Sequence, residues 1–343
     1  MDIRRPDFTK QGQGLGKNSV AVKGAPVAFG SEFLGLTVAA RTAVLNTQAL
    51  QAGYRTPYYI DEIRMTAWTD EAPMGFAEAS ALGYSLRAQF QTGKHAFSKT
   101  PVPIGLYAPT FIRSGYATLY NDGVVYTTRG VVEVRWPLPR PLYMEPGDVI
   151  QCALDRSPTK NIVDPYTVNN FSVVYVGRAL APGVLSPAHK HVPWVAYYDH
   201  PTTATSVYSN AGEAYRNPFT VPINVHRFVQ RTYLRQDAGA DTNYNETMAC
   251  RSPTDRFIAS GGILTESSYA SIRMDDSLGY AVVKEFTPIG EVMDMARQAW
   301  TFSRPLGPRE QFNVAFSSSP LDHSASVDYN TLLAMIAYRE EGI

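Results

Sequence analysis

From Pro57 onward the chain consists of short runs in which apolar positions alternate with polar ones, broken by turn residues. They are Tyr58 to Thr66, Gly83 to Gln91, Val124 to Trp136, Val149 to Leu154 and Phe171 to Val176. A period of two places every second side chain on one face of an extended backbone, so each run predicts a half-buried strand. One earlier stretch reads differently. Leu36 to Gly53 is rich in small apolar residues and closes on a glycine, which predicts a helix with its usual stop. Ahead of it, residues 1–30 hold five glycines and five Lys or Arg against two Asp, with little periodicity. Such a segment buries too little apolar surface to offset its ordering entropy and predicts an arm.

The runs repeat. Trp136-Pro-Leu-Pro-Arg140-Pro141-Leu142 returns as Trp300-Thr-Phe-Ser-Arg304-Pro305-Leu306, 164 residues later, in a chain with four tryptophans. Further matches keep the same order: Ser85-Leu-Arg87 with Ser271-Ile-Arg273, Pro103-Ile-Gly105 with Pro288-Ile-Gly290, and Ala153 to Pro158 with Ala315 to Pro320. Phe171 to Arg178 aligns with Leu332 to Arg339 at an offset of 161, and Pro57-Tyr-Tyr-Ile answers weakly to Pro218-Phe-Thr-Val. Internal repetition of this length predicts two similar β units. The chain then divides into an arm and helix over 1–52, a first sandwich over 53–180, a linker over 181–216 and a second sandwich over 217–343. The excursions Leu106 to Gly130 and Leu234 to Gly262 are expected to be variable loops, where insertions cost least.

Composition supports an all-β reading. Gly (25) and Pro (24) supply turns, while Tyr (21) and Phe (15) fit a pleated surface. Charge narrows the function. Thirty-one basic residues balance thirty-one acidic ones, so there is no field to attract a polyanion, and a nucleic-acid-coating role is disfavoured. Cys152 and Cys250 stand alone and signal neither a disulfide framework nor a thiolate cluster. No signal-peptide core or long apolar span is read, and folding in the cytoplasm is the simple expectation.

The sequence offers few candidates for chemistry. His189-Lys-His191, with Asp199-His200 beyond it, sets two imidazoles on one strand face, the opening of a cupin metal site. The glutamate and glycines that should follow are replaced by Val192-Pro-Trp-Val-Ala, so exposed linker histidines are the expected reading. The string Gly12-Gln-Gly14-Leu-Gly16-Lys17 lacks P-loop spacing, and no G-x-S-x-G string occurs. The adjacent carboxylates Asp275-Asp276 and Glu340-Glu341 alternate faces on a strand and do not converge. Glu291 to Arg297 could form a helical turn whose methionines fill a core. Arg140 and Arg304 admit two readings: forks for carboxylates on neighbouring subunits, or structural corners where Arg-Pro fixes the backbone over a packed tryptophan. Neither a catalytic residue nor a cofactor is expected.

Two consecutive β sandwiches of similar length, an N-terminal arm, neutral charge and no convincing site resemble one family: the double jelly-roll major capsid proteins of tailless icosahedral double-stranded DNA viruses, including phages with an internal membrane. The resemblance is architectural and carries over no residue roles. It implies two eight-stranded antiparallel jelly rolls standing side by side, and homotrimers of pseudo-sixfold outline tiling a shell. The implied partners are further copies, penton or minor capsid proteins, and membrane lipid at the arm, but no specific nucleic acid. The implied place is the virion capsid, assembled in the host cytoplasm. A second reading is a tandem β-sandwich protein binding carbohydrate or a receptor through Tyr197, Tyr198, Tyr208 and Tyr215. A third, an enzyme on a bicupin scaffold, is weakened because the H-x-H string has no second copy.

Overall fold

A computed structural model describes residues 25–34, 46–69, 83, 86–93, 95–107, 113–121, 124–156, 168–181, 187–202, 209–210, 213–236, 270–288, 299–318 and 327–342. The first half contributes β1 (Pro26–Leu34), β2 (Asn46–Gln51), β3 (Tyr58–Thr69), β4 (Leu86–Thr92), β5 (His95–Ala96), β6 (Val102–Pro103), β7 (Arg113–Asn121), β8 (Val124–Met144), β9 (Val149–Arg156) and β10 (Val168–Ala179). The second contributes β11 (His189–Thr202), β12 (Ser209–Asn210), β13 (Ile223–Gln236), β14 (Ala270–Asp276), β15 (Ala281–Pro288), β16 (Ala299–Leu306), β17 (Phe312–Ser318) and β18 (Val327–Gly342).

The sheets run β1-β10-β3-β8-β7 and β2-β9-β4-β5, with β6 also on β4, and then β11-β18-β13-β16 and β12-β17-β14-β15. Let β5 and β6 share one position and set aside β7, which extends β8 as a hairpin. Each half then has eight strand positions paired 1-8-3-6 and 2-7-4-5, the wrapping of a jelly roll. Every ladder between these strands is antiparallel. The described connections β2 to β3 and β8 to β9 therefore fall at one end of the first half, together with the start of β1 and the end of β10.

Three expectations are corrected by these pairings. Residues 46–51, read as the end of a helix, are strand β2 on β9, and β1 pairs β10 from Pro26↔Arg178 onward. The segment 1–52 thus supplies two sheet strands; the rest of the predicted helix, residues 36–45, and the arm up to residue 24 lie outside the described residues. The expected linker, 181–216, holds the whole of β11, which pairs β18 along its length, and β12 on β17. The excursion Leu106 to Gly130 is largely the β7–β8 hairpin. Of Leu234 to Gly262, only the first three residues are described.

Each half has its own core. The first gathers Ile60, Ile63, Met65, Leu86, Phe90, Phe97, Trp136, Phe171 and Tyr175, with the Trp136 ring 4.4 Å from that of Tyr107. The second gathers Ile223, Phe228, Ile272, Met274, Phe312 and Met335. The two cores share a strand. In β10 burial alternates, Phe171, Val173 and Tyr175 inward. In β18, Leu332 through Ala337 are all buried: Leu333, Met335 and Ala337 face the second core, and Leu332, Ala334 and Ile336 join the first. A strand covered on both faces loses the polar alternation of a surface strand.

Candidate assembly surfaces

The arrangement has two kinds of surface: the joint between the sandwiches and the faces left open around them. At the joint, the outward face of β11-β18-β13 lies over β8, the 3-10 turn Ile104–Leu106 and the β5–β6 segment. Val195 donates its backbone N–H to Phe97 O at 2.7 Å, and Ser98 bridges Val195 in parallel. Arg227, buried on β13, donates to Pro137 O at 2.9 Å. Burial lowers its guanidinium pKa to about 10. Arg87 reaches the Tyr197 hydroxyl at 3.4 Å, and that hydroxyl donates to Pro101 O at 3.2 Å.

A polar seam borders this apolar contact. Lys190 pairs with Asp148 at 3.1 Å. His95 meets Glu341 Oε2 at 3.0 Å through Nε2, while its Nδ1 lies 3.2 Å from the buried Arg339, which also pairs with Glu341 and stacks 3.9 Å over the Phe219 ring. The tautomer that satisfies both contacts is neutral, accepting from Arg339 and donating to Glu341. His191 lies 3.5 Å from Glu340 and edge-on to the Tyr338 ring. His226 occupies the β13 bulge, where Val225 and Arg227 pair with consecutive partners of β18.

All three histidines have lowered pKa values. Burial is the first cause for each. Arg339 and Lys190 add to it at His95 against Glu341 and Asp148, and Arg140 and His189 add to it at His191 against Glu340. At His226, burial, Arg227 and Arg140 together bring the value down to about 4. A lowered histidine binds fewer protons folded than unfolded, so its stabilisation is complete above about pH 6.5 and is lost as pH falls towards the folded value. The melting temperature is expected to drop between pH 6.5 and 4, and His226→Asn to flatten that slope. A slope unchanged by His226→Asn would show that this ring takes no part.

The sequence candidates fall into place unevenly. His189 is exposed and His191 pairs with Glu340. Among the described residues no three His, Cys, Asp or Glu side chains gather as metal ligands. Trp136 pairs Ile63, and Trp300 pairs Phe228. Arg140, Pro141 and Leu142 do not share ladder positions with Arg304, Pro305 and Leu306: Ile60 meets Leu142, whereas Val225, its bulge counterpart, meets Arg304. Arg140 lies 5.6 Å from the Tyr338 ring centroid. Arg304 pairs with Asp276 within the chain.

Of the adjacent carboxylates, Glu340 and Glu341 serve the seam, and Asp276 builds a turn that sequence reasoning missed. It accepts N–H groups from Leu278 at 2.9 Å and Tyr280 at 2.8 Å besides Arg304. Burial opposes its charge, but the Tyr280 N–H, Arg304 and the Leu278 N–H together hold its carboxyl below the usual range. Asp276→Ala is expected to cost about 2 kcal/mol in denaturant unfolding, because the buried carboxylate that gathers two backbone N–H groups and Arg304 is lost from the turn. A cost near zero would mean that water replaces the carboxylate.

Among the described residues, the aromatic row expected to stack on sugars does not form a platform. Tyr215 is fully buried and donates to Leu333 O at 3.0 Å, and Tyr197 is bound into the joint; Tyr198 is exposed, and Tyr208 lies outside the described residues. Cys250, Gly12 to Lys17 and Glu291 to Arg297 also lie outside them. Cys152 is a buried core residue whose thiol burial pushes far up in pKa.

No family model and no curated protein sequence matches the chain. Among solved structures, PBCV-1 VP54, fitted into a reconstruction of the virophage Sputnik, matches over 92% of this chain and 94% of its own with a TM-score of 0.50 at 9% identity. The fold is a double jelly roll. The mavirus major capsid protein covers 100% of this chain and 96% of its own at 8% identity, with a TM-score of 0.42. A quasi-atomic model of the PBCV-1 virus capsid gives 0.47 at 9% identity, over 92% and 94%.

Proposed function

We propose that the chain is a major capsid protein: a structural protein without catalytic chemistry that forms homotrimeric capsomers of pseudo-hexagonal outline and tiles an icosahedral shell around double-stranded DNA. The observation that carries this reading is the likeness to VP54 across nearly the full length of both chains. The joint supports it. A two-faced strand fuses the sandwiches into one thick block, and a block with two alike units offers each neighbour a similar flank, which is what repeated contact in a closed shell requires. Its partners are then further copies of itself and the penton or minor proteins that close the shell, and lipid or protein at the N-terminal segment. Assembly takes place in the host cytoplasm and the product resides in the virion. Electron microscopy of the purified protein tests this: class averages with six lobes about a threefold axis are expected, and single two-lobed particles at every concentration would overturn it.

A further inference from the structure

β5 holds on to its own sheet at two positions, Thr92↔His95 and Gln91↔Ala96, and is the edge strand there. Immediately after it, Phe97 O accepts the Val195 N–H at 2.7 Å and Ser98 bridges Val195, so this short segment clips the first sandwich onto β11 of the second. The clip begins at His95, whose ring lies between Glu341 at 3.0 Å and Arg339 at 3.2 Å, both on β18. Among the described residues, the other charges facing the ring are Lys190 on β11 and Asp148 in the β8–β9 turn, which pair with each other at 3.1 Å.

The two groups flanking the ring set opposite demands. Arg339 is buried, donates to Glu341 through Nε and stacks on Phe219, whose ring in turn lies edge-on to Trp194 at 4.8 Å. A guanidinium keeps its charge at any working pH and has no acceptor atom, so it needs an unprotonated ring nitrogen opposite. An imidazolium has none. Whichever way the ring turns, protonation sets an N–H against the Arg339 N–H, and an attractive contact becomes a repulsive one. Glu341 gains from the added charge, but it is already shared with Arg339. Arg339 cannot move without leaving Phe219, whereas the His95 side chain is 36% exposed and its strand is weakly held. The ring is therefore the part that leaves.

We propose that His95 is an acid-released latch: its neutral ring fastens the clip to β18, and protonation frees the clip and opens the seam while the shared core of Leu332, Ala334 and Ile336 keeps the sandwiches together. Burial, Arg339 and Lys190 disfavour the charged ring against Glu341 and Asp148, which is the direction such a latch requires. The latch acts on the fit between two units of one chain and does not depend on how copies associate.

Amide hydrogen exchange of the full chain at pH 7.5 and pH 5, corrected for the intrinsic rate at each pH, tests this at the Val195 N–H. Its protection is expected to fall about tenfold at pH 5, the order for losing one hydrogen bond of a charged group. His95→Gln supplies a carbonyl for Arg339 and an N–H for Glu341 at every pH, and is expected to keep Val195 protected at pH 5. His95→Lys carries a lasting charge and is expected to lower Val195 protection by a similar factor already at pH 7.5. An equal fall in the unaltered chain and in His95→Gln would assign the response to another group, such as His191 or His226, and overturn the latch. Unchanged protection at pH 5 in the unaltered chain, or full protection at pH 7.5 in His95→Lys, would overturn it as well.

Discussion

Replacing Ile336 by aspartate is expected to unfold both sandwiches in a single transition, at a cost of about 5 kcal/mol or more. Ile336 is fully buried, on the face of β18 that enters the first core, while its neighbours Met335 and Ala337 belong to the second. Its ladder partner Arg227 is a buried cation already engaged with Pro137 O at 2.9 Å, so a carboxylate there must take up a proton or give up its solvent for an ion pair on an otherwise apolar face. Because the strand belongs to both cores, the loss passes to both. Ile336→Val, which removes only one methylene, is expected to cost about 1 kcal/mol. Chemical denaturation followed by fluorescence and circular dichroism checks the pair. Two separate transitions in the aspartate variant, with the first sandwich unaffected, would show that β18 does not couple the halves.

Gly177→Ala is the second large effect. An added Cβ would sit 1.7 Å from Tyr59 O and 2.9 Å from Ile60 Cα, both backbone atoms that no side-chain motion can clear. The crowding arises at the bulge, where Val176 and Gly177 meet Glu62 and Ile60 and leave Asp61 to pair with Arg178 at 2.9 Å. Bulges of this kind increase local twist and bring backbones together. The expected cost is about 3 kcal/mol or more. Gly53, at φ +62 with nothing within 4 Å of its would-be Cβ, is the control: Gly53→Ala is expected to cost only about 1 to 2 kcal/mol of left-handed backbone strain. Equal melting temperatures for the two variants would contradict the bulge geometry.

The legible parts of the fold were those with one wet face. The runs in β3, β4, β8, β9 and β10 alternate because one side of each is at least partly solvated, so a period of two appears in the sequence. β18 does not alternate over Leu332 to Ala337, and its pattern cannot set a register. The alignment of Phe171 with Leu332 is accordingly one residue off the ladders, which place Tyr175 opposite Ile63 and Met335 opposite Phe228, an offset of 160. One residue exchanges the two faces of the strand, and the joint was hidden by that slip. The opening strands failed for other reasons. β1 carries glycine beside the Gly-rich arm, β2 is short and polar, and β11 contains Pro193 and is apolar on both faces, so that each resembled arm, helix end or linker. The seam was visible only as separate parts: the acidic pair Glu340-Glu341 and the lone His95 and His226 gain their roles through strand pairing across more than a hundred residues.

Multi-angle light scattering on the purified full chain is the most direct test of the claim that alike flanks exist to meet further copies. A species of three times the 37.8 kDa chain mass, persisting on dilution, is the predicted result. A single-chain mass at every concentration up to the solubility limit would contradict it.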